Sequence, residues 1–290
     1  MKDFPIPVTM IGPGSQPEDE TLDYMPMPQG MQTFRPPVLP EPEEVAVRKQ
    51  AHRVLREVLG ALGAVCRHGG HRRIGIEDLP AADRLLVNQV LGEGEVSALV
   101  KARSEAEGVE LRVQESVFAG VWRVIESRHG LPVSDAIEVC AVPPALQAAA
   151  FDDVLPVVPR WQGGLPPNVQ NAPLLLAEIE DQWRTWQDGQ AAHVVNLTLL
   201  PMSNEDIGFL DHHLGTGRVL ILSRGYGNCR ISNTCMPNCW RVVYYNSQDV
   251  VILNTVEVIG LPEVALAAPE DIEDSHERLL DVLAWVEGAA

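Results

Sequence analysis

Two short stretches of this 290-residue chain decide its fold, Gly92-Glu-Gly-Glu-Val96 and Gly215-Thr-Gly-Arg-Val219. They lie 123 residues apart and share both glycines and the closing valine. Further along, Val121-Trp-Arg-Val124 corresponds to Cys239-Trp-Arg-Val242 at an offset of 118 residues. Blocks that recur in the same order indicate an internal duplication. We therefore predict two tandem modules that pack as a pseudo-twofold pair.

Each module begins with a short helix that ends near its Gly-x-Gly turn, and Asp83 corresponds to Asp206 in these helices. The segments that follow are rich in β-branched residues and alternate in polarity, as in antiparallel strands with one covered face. The predicted strands are Val96–Val100, Leu111–Val113, Val121–Glu126, Arg218–Ser223, Trp240–Tyr245 and Val250–Val258. The predicted fold class is α+β, built from two repeated modules with antiparallel β-meanders.

Three further helices lie outside the aligned blocks. Apolar residues recur every three or four positions from Val47 until Gly69-Gly70 ends the pattern, and a second helix is expected from Leu174 to Trp186. Pro269 opens a C-terminal amphipathic helix with acids in its first turn. The predicted divisions are an arm (1–44), the first helix with repeat 1 (45–150), a linker with a helix (151–192) and repeat 2 with the terminal helix (193–290).

The N-terminal arm has an unusual composition. Ten of the 23 prolines and five of the seven methionines lie within the first 44 residues. Proline at this density excludes helix and favours an extended chain, and methionine adapts to irregular apolar surfaces. The arm is expected either to wrap over its own domain or to dock on a partner, and the sequence leaves both alternatives open.

The charge of the chain is concentrated at its two ends. The net charge is −18, of which residues 1–44 carry −6 and residues 263–290 carry −7. A protein that binds the phosphate backbone needs a basic face, so we expect no nucleic-acid partner. Acidity of this kind serves solubility or attracts a cationic partner, and composition alone does not separate the two.

The chain carries no stretch of the 18 to 20 apolar residues that a membrane span requires, and its first residues lack the apolar segment of a signal peptide. We therefore expect a cytoplasmic protein without membrane insertion. Its five cysteines form no Cys-x-x-Cys pair, so thiols are expected rather than disulfides.

Several common catalytic motifs do not occur in this sequence. It has no P-loop, no complete dinucleotide-binding Gly-x-Gly-x-x-Gly, no His-Glu-x-x-His and no Gly-x-Ser-x-Gly. Nucleotide-driven and hydrolytic chemistry therefore lose most of their support. We expect neither an enzyme nor a bound cofactor.

The chief metal candidates are Cys229, Cys235 and Cys239, with His212 or His213 as a fourth ligand. Their spacing is not one of the usual zinc patterns. The repeat aligns Cys235 and Cys239 with two valines, which favours thiols that act as small core residues. A second candidate, Cys66-x-His68-x-x-His71, straddles a helix end and would need a loop to fold back.

The second module carries Gly225-Tyr-Gly-Asn-Cys-Arg-Ile231 where the first carries the highly charged segment 101–111. The two glycines permit an unusual backbone conformation, and the loop offers a tyrosine, a thiol and a guanidinium. A contact surface and a purely structural hairpin bend are both consistent with this pattern.

Several motifs give the chain a family resemblance along nearly its full length. The loop above, Trp240-Arg-Val-Val-Tyr-Tyr-Asn246 and Leu253-Asn-Thr-Val-Glu-Val258 resemble the C-terminal region of the hydrogenase expression/formation proteins called HupH, HyaF or HoxQ. Gly12-Pro-Gly-Ser-Gln-Pro-Glu-Asp-Glu20 and His193-Val-Val-Asn-Leu-Thr-Leu-Leu-Pro201 are similar to the same family.

The resemblance implies an accessory protein for maturation of an uptake [NiFe]-hydrogenase. Its expected partner is the iron–sulfur small subunit precursor with its twin-arginine signal, and a second accessory protein is a further candidate partner. On this basis we expect a chaperone; the alternative is an iron–sulfur or metal carrier that uses the three cysteines. The expected contact residues are Tyr226, Gly227, Asn228, Cys229, Arg230, Trp240, Asn246, Asp271 and Asp274.

Overall fold

The computed structural model describes residues 47–156, 161–225 and 227–288. The proline-rich arm and Tyr226 lie outside the described residues. Within the described part of the chain, no helix combines the length and apolarity that crossing a bilayer requires.

The two modules have the same order of elements. The first comprises α1 (Lys49–His68), β1 (Arg72–Gly75), α2 (Ala81–Leu91), β2 (Val96–Val100), β3 (Val109–Glu115), β4 (Val121–Arg128), β5 (Leu131–Val139) and α3 (Pro144–Asp152). The second comprises α4 (Ala172–Thr185), β6 (His193–Asn196), α5 (Asn204–Leu214), β7 (Val219–Ser223), β8 (Asn228–Asn233), β9 (Cys239–Tyr245), β10 (Val251–Val258), a 3₁₀ turn (Glu263–Ala265) and α6 (Pro269–Gly288).

All ten strands in the described part of the chain form one antiparallel sheet in the order β1-β5-β4-β3-β2-β7-β8-β9-β10-β6. The modules join where β2 pairs with β7, and Ala98 lies opposite Ile221. These two residues correspond in the repeat alignment, so the pseudo-twofold axis passes between them. The predicted α+β fold of two tandem modules is confirmed.

The duplication is longer than the aligned sequence blocks indicate. Arg72 on β1 pairs with Val139 on β5, and His193 on β6 pairs with Val258 on β10, which are corresponding pairs. In this arrangement α4 packs against α5, β6 and β10 of the second module. The first helix and the first strand of each module therefore belong to the repeat, although their sequences have diverged beyond recognition.

The paired Gly-x-Gly motifs have a conformational explanation. Gly92 and Gly215 end α2 and α5 with φ of 57° and 68°, a region that non-glycine residues rarely adopt. At Gly94, an added Cβ would collide with the backbone carbonyl of Ser116. Both glycines of each motif are thus required by the turn that connects the helix to the sheet.

The two aligned aspartates also have equivalent structural roles. Asp83 accepts hydrogen bonds from the backbone N–H groups of Gln50 and Ala51 at 3.1 and 3.0 Å. Asp206 accepts three such bonds at the start of α4, from residues 170, 171 and 172. Each carboxylate therefore caps the first helix of its own module and fixes it against the second.

The sheet has helices on both faces. On one face, α1, α2 and α6 pack over β4 and β5, and α4 and α5 pack over β6, β9 and β10. On the other face a continuous core joins both modules beneath α3 and contains Trp122 and Trp240, each at most 1% exposed. These equivalent tryptophans donate their indole N–H groups to Cys140 O and Gly260 O.

Most predicted elements are present. The six predicted strands and the three helices all lie within or close to observed ones. The sequence analysis missed four strands, β1, β5, β6 and β8, and helix α3. Of these, β8 corrects one interpretation. In the segment predicted as a loop, 225–231, residues 228–231 belong to strand β8, where residues 229–231 pair with both β7 and β9. The connection between β7 and β8 is shorter than the equivalent connection between β2 and β3.

Candidate functional site

The β7–β8 hairpin lies against the start of β2. The N–H of Arg224 donates to the carbonyl oxygen of Glu95 at 3.1 Å. An added Cβ at Gly225 would collide with the Glu95 carboxylate, and Gly227 has φ of 106°. The hairpin is exposed on both sides of its tip. Its two glycines therefore bring an exposed turn into contact with an acidic side chain of the other module.

A buried carboxylate lies behind this hairpin. Glu115, at the end of β3, is 7% exposed and accepts hydrogen bonds from the backbone N–H groups of Val96 and Gly120. The pKa of Glu115 is raised to about 7, chiefly by burial and to a smaller extent by the charges of Glu95 and Asp271, while the two backbone hydrogen bonds lower it. We call Glu95, Glu115 and Asp271 the hairpin-end acids. They place three carboxylates near one exposed turn.

The corresponding place in the second module is neutralised. The repeat aligns Glu95 with Arg218, and the strand register aligns Glu115 with Asn233. Asp153 accepts a bond from the Arg218 guanidinium at 2.6 Å and one from the Asn233 amide at 3.0 Å. Although burial opposes it, hydrogen bonds from Arg218 and Asn233 hold the pKa of Asp153 below its ordinary value. Here the chain itself supplies the guanidinium.

Two predicted contact residues are buried, which corrects their placement on a surface. Cys229 is 3% exposed and Trp240 is 1% exposed, and both belong to the core beneath α3. Burial raises the pKa of Cys229 to about 12, so this thiol carries no charge at neutral pH. Cys229 was misplaced because strand β8 was not recognised. Trp240 lies in the predicted strand β9, which is covered on both faces at this point, with Cys239 in one core and Trp240 in another.

The other predicted residues are distributed over separate surfaces. Arg230 lies on the sheet face opposite Cys229. Asn246 accepts the N–H groups of Gln248 and Val250 and closes the β9–β10 turn. Asp274 pairs with Arg278 on α6 at 3.2 Å. Among the predicted residues, Asp271 is itself one of the hairpin-end acids, and the hairpin lies against Glu95.

The three cysteines do not form a site. Cys229 and Cys239 belong to cores on opposite faces of the sheet, and Cys235 lies in the turn between β8 and β9. Burial raises the pKa of Cys239 to about 12 as well. Their placement removes the structural basis for the metal-carrier alternative. His213, one of the two candidate fourth ligands with His212, donates a hydrogen bond from Nδ1 to Phe209 O and packs among aromatic rings.

One group of metal-type side chains does converge in the described part of the chain, and it includes His71. The donor atoms of His71, Glu138 and Cys140 lie within 4.8 Å of one another. Glu138 also binds the guanidinium of Arg73, and His71 Nε2 lies 3.0 Å from its other oxygen. Because an arginine already balances this carboxylate, we interpret the group as an ion-pair network.

A cleft of about 390 Å³ lies between α3 and the β8–β9 turn. Phe151, Met236 and Trp240 form part of its wall. Among the described residues that line it, the one titratable group is Cys239. The cleft therefore offers no acid–base pair, and the hairpin end remains the more distinctive polar feature.

Sequence reasoning missed Glu95 and Glu115. The signal was present, because the repeat alignment sets an acid, Glu95, against a base, Arg218, at the residue before β2 and β7. Opposite charges at equivalent positions of a duplicated fold mark a place where the copies differ in electrostatics. Glu115 was not recognisable, since its counterpart becomes known only from the strand register.

The fold and the site together define a duplicated α+β protein. Its two modules share one sheet and differ in charge at the residues that precede the central strands β2 and β7. A family model, the C-terminal conserved region of the HupH hydrogenase expression protein, matches residues 49–156 and 169–286. The two matched segments coincide with the two modules. The chain belongs to this hydrogenase expression/formation family, as its motifs indicate.

Several named relatives are similar over nearly the full length. The chain is 56% identical to the hydrogenase expression/formation protein HoxQ of Cupriavidus necator, covering 99% of both chains. It is 46% identical to HupH of Rhodobacter capsulatus, covering 98% of both. It is 33% identical to the hydrogenase-1 operon protein HyaF of Escherichia coli, covering 97% of both.

A solved structure, the hydrogenase expression protein HupH from Thiobacillus denitrificans, is 26% identical in sequence. It covers 39% of this chain and 95% of its own, with a TM-score of 0.37.

Proposed function

We propose that this protein is a cytoplasmic maturation chaperone that binds the small subunit precursor of a [NiFe]-hydrogenase before export. Relatives over the full length are named for hydrogenase expression and formation, which supports a role in that process. The relatives' names do not specify the partner. The small subunit is inferred from the family resemblance and from the chemistry of the hairpin end.

The observation that carries the proposal is the charge of the hairpin-end acids, which form no ion pair with any residue that the structure describes. A twin-arginine leader presents two adjacent guanidinium groups. In the second module, a guanidinium at the equivalent position is held by a carboxylate at 2.6 Å. In the first module that position is occupied by Glu95, whose negative charge, like that of Asp271, acts on Glu115. We propose that an arginine of the leader supplies the missing positive charge, with Tyr226, Gly227 and Asn228 contributing contacts from the hairpin.

The test measures affinity of the full-length protein for the precursor with its leader. The variant Glu95→Gln/Glu115→Gln/Asp271→Asn should weaken binding about tenfold or more, because removing one partner of a desolvated charge pair costs about 2–5 kcal/mol. A control with the same loss of charge is Glu105→Gln/Glu107→Gln/Glu277→Gln, on exposed surfaces away from the hairpin. It should bind like the parent.

A second experiment varies the salt concentration and the sequence of the leader. Affinity should fall as salt rises, and replacing the two leader arginines with glutamine should reproduce the loss seen with the triple variant. A parent protein that does not capture the precursor contradicts the chaperone function. Capture that is indifferent to salt, to the leader arginines and to the triple variant contradicts the location of the site.

A further inference from the structure

The centre of one sheet face lies outside the three hydrophobic cores that the described residues form. On β2 and β7, alternate residues point to opposite faces, and Ala98 and Ile221 enter the core beneath α3. Their neighbours Leu99, Leu220 and Leu222 therefore point to the other face, where they are half-buried and belong to none of the cores. The described helices on this face pack over the outer strands. We call this strip, floored by β3, β2, β7 and β8, the central groove.

The two walls of the central groove are equivalent. On one side, Arg123 of β4 binds Asn88 of α2. On the other side, Arg241 of β9 pairs with Asp211 of α5 at 3.3 Å. These are corresponding residues of the two modules. The groove therefore follows the pseudo-twofold symmetry, with one short helix on each side.

The floor carries two cations that no described residue neutralises. Arg112 lies beside Leu99, and Arg230, its equivalent, lies beside Leu222. Neither guanidinium has a hydrogen bond or an ion pair within the described ranges, in contrast to Arg123 and Arg241. The groove thus combines an apolar centre with a positive charge at two diagonal corners.

We propose that the central groove is the docking site of the chain's own N-terminal arm, residues 1–46. The arm carries eight acids against two bases, and it contains five methionines and ten prolines. Its carboxylates complement Arg112 and Arg230, and its methionines suit an irregular apolar floor. An extended segment rich in proline fits a groove between two helices better than a further helix does.

The point where the arm joins the fold supports this assignment. Residues 50 and 51 of α1 donate to Asp83 in the first turn of α2, so the arm leaves beside the wall of the groove. The 11 residues of α2 span roughly 16 Å, and Asn88 on that helix already contacts the sheet. An extended chain of 46 residues reaches up to about 150 Å, so its length is ample.

The experiment places a photo-crosslinking residue at Leu222 in the full-length chain. Mass spectrometry should find its products on peptides from residues 1–46. The same crosslinker at Phe151, which is 78% exposed on α3 beneath the opposite face, should give none. If the Leu222 variant does not fold, Ser232 on the same face replaces it. The proposal is overturned if the crosslinker is active but gives no products on peptides from residues 1–46, whether it is placed at Leu222 or at Ser232.

Two further experiments test the proposal. Arg112→Glu/Arg230→Glu should reduce the arm products at least about fivefold, whereas Arg72→Glu/Arg128→Glu, on exposed sites elsewhere, should leave them unchanged. A mixture of isotopically light and heavy chains should give products within one chain. Products between chains, or products indifferent to the Arg112/Arg230 variant, contradict docking of the arm in its own groove.

Discussion

At the two opposite ends of the central strands of the shared sheet, corresponding positions of the two modules carry opposite charge. In the second module, Arg218 and Asn233 both donate to Asp153, and the pKa of that carboxyl is lowered. In the first module, the same places hold Glu95 and Glu115, and the pKa of Glu115 is raised to about 7. One fold thus gives a closed ion pair at one end and a cluster of carboxylates at the other.

The comparison also separates the residues that are the same in both modules from those that have diverged. The packing residues are kept, as Trp122 and Trp240 show, and so are the helix caps Asp83 and Asp206. The polar residues at the sheet ends have diverged instead. A difference between copies that costs the first module an internal ion pair indicates a requirement other than folding.

The largest expected effect tests whether the two cores are equivalent. Trp122→Ala and Trp240→Ala each remove a fully buried indole and its hydrogen bond, so each should lower the free energy of unfolding by about 3–5 kcal/mol. Urea unfolding of both variants measures this. A change below about 1 kcal/mol at Trp240 would show that it is not a core residue and would return it to the contact surface.

The second prediction concerns pH at the first module's end. Because the pKa of Glu115 is about 7 in the folded state, against an ordinary value of 4.5, the folded protein binds the extra proton. The contribution of Glu115 to stability should therefore be fully present below pH 4.5 and fall as pH rises through 7, by on the order of 3 kcal/mol. Glu115→Gln should remove this slope, measured as the difference in unfolding free energy between variant and parent.

In the second module, the pH dependence of stability is expected to have the opposite sign. The pKa of Asp153 is lowered, so its contribution to stability is present at neutral pH and lost as pH falls through its folded value. Asp153→Asn should be destabilising at pH 7, whereas Glu115→Gln should be stabilising there. If both variants change stability in the same direction at pH 7, the electrostatic contrast between the modules is wrong.

Much of the fold was predictable because packing constraints recur in the sequence. Gly-x-Gly and Trp-Arg-Val blocks survive in both copies, since each glycine is required by a turn and each tryptophan by the core. Strand β5 was missed because it begins Leu131-Pro132 with exposed residues, and β8 because Gly225 and Gly227 suggested a longer loop. Local patterns do not record which neighbour pairs with a strand.

The candidate site was predictable only in part. The hairpin tip and Asp271 were identified from sequence. In the structure the hairpin lies against Glu95, and the charges of Glu95 and Asp271 both act on Glu115. Cys229 and Arg230 were assigned to one surface although they are adjacent in a strand and point to opposite faces. Long-range electrostatic interactions such as that between Glu115 and Asp271, 156 residues apart, leave no signal in a single sequence.

The smallest expected effect distinguishes docking from folding in the central groove. Arg112→Gln and Arg230→Gln remove charges that have no partner within the described residues, so each should change the unfolding free energy by less than about 0.5 kcal/mol. Arg123→Gln is the matched comparison, because that guanidinium binds Asp135 and Asn88, and its loss should cost about 2 kcal/mol or more. Chemical unfolding of the three variants gives the ranking. Equal costs at Arg112 and Arg123 would mean that the floor arginines stabilise the sheet itself, and the symmetry of the groove would then reflect folding rather than a place for the acidic arm.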